Sequence, residues 1–154
     1  EMSRGLGDVY KRQASGGAST VSMVAVDAAA EASKTLCGSP GTVGGGVSIG
    51  GDVDGDGQAE MLIQEAGADG VGAVWLVSGA LLAASDGPAV PSELALMGIR
   101  AQYPSERLGG TMAMADLDGD GLDDLIIGAS HHPSPASVGL AMSGRVSVFL
   151  SSRY

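Results

Sequence analysis

Short apolar runs broken by glycine set the rhythm of this chain. Gly44–Gly51, Met61-Leu62-Ile63, Gly72–Val77, Leu94–Met97, Leu108–Ala115, Leu125-Ile126-Ile127 and Gly144–Leu150 are each of strand length and lean towards Val, Ile, Leu and Met. Glycine interrupts nearly every run, which weighs against helices. Ser85-Asp86-Gly87-Pro88 marks a turn. The pattern predicts about eight short strands.

The runs repeat. Asp52-Val53-Asp54-Gly55-Asp56-Gly57-Gln58-Ala59-Glu60 returns 64 residues later as Asp116-Leu117-Asp118-Gly119-Asp120-Gly121-Leu122-Asp123-Asp124, and the flanking runs align with it. The polar loop after the repeat is longer in the second copy, 20 residues from Asp124 to Gly144 against 12 from Glu60 to Gly72. Ser33–Cys37 stands where Leu94–Met97 stands one period later, and Thr20–Val26 resembles the last run of a still earlier copy. Four strands per unit, repeated radially so that each sheet covers its neighbour, describe an all-β fold: a partial β-propeller of four-stranded antiparallel blades. One full blade is expected from Gly44–Gly51, Glu60–Ile63, Gly72–Val77 and Leu94–Met97.

Composition agrees. Of 154 residues 44% are hydrophobic but only 3% aromatic, so the core must be built from aliphatic side chains. The 26 glycines follow no collagen period and suit many tight turns. A formal charge of −10 disfavours nucleic acid as a partner. Nine of the 18 acidic residues lie in the two nonapeptides, so the charge is local. The single cysteine, Cys37, is expected to be a small buried residue. No apolar run reaches the ~18 residues of a membrane-spanning helix.

Carboxylates at alternating positions with glycine between them are what a hard, oxygen-seeking cation requires. Calcium takes six to eight oxygens at flexible angles. Asp52, Asp54, Asp56 and Glu60 would supply side chains in the first loop, with the backbone carbonyl of Gln58. Asp116, Asp118, Asp120 and Asp124, with the carbonyl of Leu122, would do so in the second. One Ca2+ per loop, two in all, is the expected cofactor. Asp123 lies between ligand positions and is read as a carboxylate outside the ligand set. Magnesium wants fewer protein ligands, and zinc wants Cys or His. An EF-hand fails because its twelfth position, which needs Glu, is Ile63 or Ile127. An uncompensated acidic turn is the plainer alternative, but clustered carboxylates repel one another.

With Gly45 and Gly109 before the loops and Gly128-Ala129-Ser130 after the second, the pattern resembles the FG-GAP repeat of integrin α-type propellers. Phe gives way to Gly44 and Leu108, and Gly-Ala-Pro becomes Gln64-Glu65-Ala66 in the first copy. The resemblance implies an extracellular or cell-surface segment acting in adhesion or ligand recognition, with structural calcium on one face and a protein or carbohydrate ligand on other loops. It implies no catalysis. The competing reading is the accessory or substrate-binding propeller of a secreted hydrolase or polysaccharide lyase.

Repeat boundaries are expected at 33–92 and 93–154, with 14–32 closing a preceding blade. Residues 1–13 are read as foreign or as a disordered tail: Asp8–Gln13 resembles the translation of an adapter used in preparing sequencing libraries, which would leave the natural N-terminus out of view. His131 and His132 are expected in a solvent loop, and Trp75 and Phe149 in the core. Ser130, His131 and Asp124 lack the surroundings of a nucleophile elbow. Arg145 either pairs with an acidic neighbour or faces solvent.

Overall fold

The computed structural model describes residues 33–38, 42–67, 71–133 and 143–151. Two compact units divide the chain, Glu1–Thr35 and Leu36–Tyr154, and every described strand belongs to the second. The expectations for 1–13, 14–32 and Thr20–Val26 lie outside the described residues.

Seven strands form two antiparallel sheets. β1 (Val43–Ile49), β2 (Met61–Glu65), β3 (Ala73–Val77) and β4 (Ala95–Arg100) make the first, in the order β1-β2-β3-β4. β5 (Leu108–Ala115), β6 (Asp124–Ala129) and β7 (Arg145–Phe149) make the second. The first sheet contains the four expected runs, shifted by a few residues at their ends. Because β4 pairs with β3, this sheet runs past residue 92, and sequence repeat and sheet are offset by one strand.

Sequence dictates these strands through period-two alternation. Leu125, Ile127 and Ala129 fall on one face of β6, and Leu62 and Leu76 sit opposite each other on β2 and β3. Those faces meet in a core of Leu62, Val74, Leu76, Ala101, Leu108, Leu125, Ile127 and Ala129. Leu62 and Ile127 are wholly buried, each contributing about 1.5–3 kcal/mol.

β5 lies over β1, β2 and β3. The approach is close enough to need glycine. A Cβ on Gly46 would strike the Gly109 carbonyl, and one on Gly109, whose φ is +81°, would meet Val74 Cγ2 at 2.5 Å. Gln64 Nε2 then donates to Leu108 O at 2.7 Å, tying the sheets at this point. Gly109→Ala is expected to cost about 1–3 kcal/mol through overpacking and backbone strain, read as a lowered denaturant midpoint.

Among the described residues nothing covers the other face of the second sheet. Ala113, Ile126 and Val148 pair across it, and Val146 and Val148 are 69% and 50% exposed.

Some sequence expectations change. Ala80–Ala84, rich in the strongest helix formers, lies in a short helix, α1 (Gly79–Ala84), capped by Ser78 Oγ accepting from Leu81 N. Ser33–Cys37 adds no strand. Leu36 makes only an isolated parallel bridge to Ala89, so Cys37 is exposed rather than buried. Phe149 pairs with Leu125 but is 36% exposed, since β7 is an edge strand among the described residues. Trp75 is half-buried, its ring over Gly98 and its Nε1 donating to Glu65 Oε2 at 2.6 Å.

Candidate metal centre

Each acidic loop joins the first two strands of its sheet, β1 to β2 and β5 to β6. The same hydrogen bonds build both. Asp52 Oδ1 and Oδ2 accept from Gly55 N (2.7 Å) and Gly57 N (2.9 Å), and Asp116 accepts from Gly119 N (2.7 Å) and Gly121 N (3.0 Å). Asp54 and Asp118 each accept from the amide two residues on, at 3.1 Å. The turns this requires put Gly55, Gly57, Gly119 and Gly121 at φ between +80° and +87°, a region that penalises any Cβ.

Folding this way collects carboxylates. Oxygens of Asp52, Asp54 and Glu60 lie within 4.8 Å of one another, as do those of Asp116, Asp118 and Asp124. Calcium–oxygen distances of about 2.3–2.6 Å allow two ligand oxygens on one ion to stand roughly 5 Å apart, so either trio can share an ion. Asp56 and Asp120 do not join these groups. Their Oδ1 atoms accept from Gln58 N (2.7 Å) and Leu122 N (2.8 Å), which shapes the second half of each loop.

The closing carboxylates differ. Glu60 is fully buried, with Oε2 accepting from Val53 N at 2.8 Å and Oε1 without a hydrogen-bond partner. Burial pushes its carboxyl above the ordinary value, the charges of Asp54 and Asp56 add to this, and the Val53 and Gly79 amides oppose it. Asp124, equally buried, is satisfied: Oδ2 accepts from Leu117 N (2.8 Å), and Oδ1 accepts from the amide and hydroxyl of Ser151 (2.8 and 3.0 Å). The Leu117 and Ser151 amides hold it below the ordinary carboxylate value despite its burial. Gly79 stands where Ser151 stands in the second copy, and a Cβ there would collide with Ala59 O, so the first loop has no room for the hydroxyl.

Two features escaped sequence reasoning. Asp123 joins the loops: its Oδ2 accepts from Asp52 N (3.0 Å), and its own N–H donates to Asp52 O (2.9 Å). The signal was present, since Asp123 is the one acidic residue of the second nonapeptide whose counterpart, Ala59, is neutral.

The second is Glu106, buried in the turn between β4 and β5. Its Oε2 accepts from Gln102 N (2.8 Å) and Tyr103 N (3.1 Å), while its Oε1 meets Arg145 Nη2 (2.9 Å) and His132 Nδ1 (2.7 Å). Burial pushes Glu106 upward, but the Tyr103 amide, His132, the Gln102 amide and Arg145 together bring it below its ordinary value. Arg145 therefore has its acidic partner. His132 packs edge-on to Tyr103, ring centroids 5.4 Å apart, and is not the solvent-loop residue expected. Ser130 Oγ lies 2.9 Å from His131 Nδ1, while Asp124 is engaged by Leu117 and Ser151.

The donor sets are all oxygen, and one of them carries a buried, unpaired carboxylate oxygen. Both facts fit a hard divalent cation. Comparison with curated proteins gives no match. Residues 108–149, which span β5, the second acidic loop, β6 and β7, match the FG-GAP repeat family model.

Proposed function

We propose that the chain is a calcium-binding segment of a β-propeller, non-catalytic, from an extracellular or cell-surface protein that acts in adhesion or ligand recognition. The observation that carries the cation is Glu60 Oε1: a buried carboxylate oxygen that makes no hydrogen bond, beside Asp52 and Asp54. A bound Ca2+ supplies the missing partner and neutralises the cluster. The same trio recurs in the second loop, so each loop takes one ion, with the Gln58 and Leu122 carbonyls completing the shell. The ions brace the turn between the first two strands of each sheet.

The propeller reading is supported by the FG-GAP match and by the open face at Val146 and Val148, which a further blade would cover. Protein or carbohydrate ligands would dock on loops away from the ions. No helix among the described residues is long and apolar enough to cross a membrane.

Isothermal titration of the full chain with calcium chloride is the test. Two sites with Kd on the order of 10⁻⁴–10⁻³ M, and weaker binding of magnesium, are expected. Absence of any calcium heat up to roughly 10 mM, well above that range, overturns the reading.

A further inference from the structure

The two acidic loops share a wall. Asp123 and Asp52 exchange two hydrogen bonds across 71 residues of sequence, Asp52 N to Asp123 Oδ2 and Asp123 N to Asp52 O. Two packing contacts accompany them. Gly51 lies so close that a Cβ there would meet Asp123 Cβ at 2.9 Å. Buried Leu122 reaches under Gly55, where a Cβ would meet its Cδ2 at 3.3 Å. Asp52 opens the first carboxylate trio, and Asp123 directly precedes Asp124, which closes the second.

We infer that Asp123 couples the two loops, so that filling either with a divalent cation strengthens binding at the other. The inference rests on the cation reading of the two loops. Gathering Asp52 onto an ion fixes its backbone N–H and C=O, which fixes Asp123 and thereby the position of Asp124. The ordering cost common to both loops falls mainly on the first ion, and the second binds a loop already set. Asp123 is a positioning residue here and touches no ion. The first copy lacks the device, having Ala59 at that place.

The full chain is titrated with calcium chloride by calorimetry in four forms: unaltered, Asp116→Asn with Asp118→Asn, Asp123→Ala, and all three changes together. With Asp123 intact, disabling the second loop should raise the Kd of the first by about fivefold or more, the low end of ordinary coupling. In the Asp123→Ala background the same change should move it by less than about twofold. That background also removes any general effect of lost negative charge from the comparison. Asp123→Asn keeps the acceptor without the charge and should retain the coupling; it carries the test if Asp123→Ala does not fold. A first-loop Kd indifferent to Asp116→Asn with Asp118→Asn while Asp123 is intact overturns the coupling and leaves two independent calcium sites standing. No calcium binding in any form removes the cation reading itself, and the coupling with it.

Discussion

Calcium at roughly 10 mM is expected to raise the thermal midpoint of the full chain by about 5–10 °C. A ligand at ten times its Kd stabilises the folded state by about 1.4 kcal/mol per site. Two sites give about twice that, and each kcal/mol moves the midpoint of a domain this size by roughly 2–4 °C. Asp52→Asn with Asp116→Asn removes one charge from each carboxylate trio and disturbs the amides of Gly55, Gly57, Gly119 and Gly121. That variant should lose most of the calcium increment, whatever its midpoint without the ion. The loops should also respond unequally. Asp124 is held ionised by the Leu117 and Ser151 amides, whereas Glu60 is buried with one oxygen unpaired. The first loop therefore has more to gain from a cation. Glu60→Gln, which removes the uncompensated charge, should raise stability without calcium and shrink the calcium increment. An increment unchanged by every one of these substitutions would remove the loops as the origin of the effect.

Glu106→Gln should destabilise the fold by about 3 kcal/mol, a loss of roughly 10 °C, with no change in calcium response. Both carboxylate oxygens accept, from the Gln102 and Tyr103 amides on one side and from Arg145 and His132 on the other. A carboxamide must turn its NH2 towards donors on one of those sides, leaving them unpaired in a buried place. Arg145 is partly exposed, so water recovers some of its loss, which keeps the cost below that of breaking a fully buried pair. The pH dependence has a definite sign. Glu106 titrates below its ordinary value when folded, so its stabilisation is complete above the unfolded carboxylate range. It fades as pH falls through the lowered folded value. As pH falls from the ordinary glutamate range through that lowered value, the unaltered chain should lose more stability than Glu106→Gln, and the two denaturation curves should converge. Parallel curves would show that Glu106 does not carry this charge-dependent contribution.

The strands were legible in the sequence because alternation and branched side chains act locally. Leu125 and Ile127 fall on one face of a strand whatever surrounds them. The carboxylate loops were legible for the same reason, since their hydrogen bonds run between residues two to seven apart. Asp56 and Asp120, which alternation places among the ligands, lie outside the two closest trios, and each accepts at Oδ1 from the amide two residues ahead, as Asp54 and Asp118 also do. Phe149 and Cys37 failed as core residues because burial depends on what lies beside a strand, and β7 and Leu36 each lack a neighbour on one side among the described residues.

By itself the sequence determined the strand runs, the 64-residue repeat and two glycine-hinged carboxylate loops, all products of short-range geometry. Only tertiary structure decided that Asp123 reaches back to Asp52 and that Glu106 gathers Arg145 and His132. It alone left Glu60 Oε1 buried without a hydrogen bond, where Gly79 takes the place of Ser151. These outcomes depend on how closely two sheets approach and on which backbone donor meets which carboxylate. Partners 26 to 71 residues apart carry no local periodicity that could announce them.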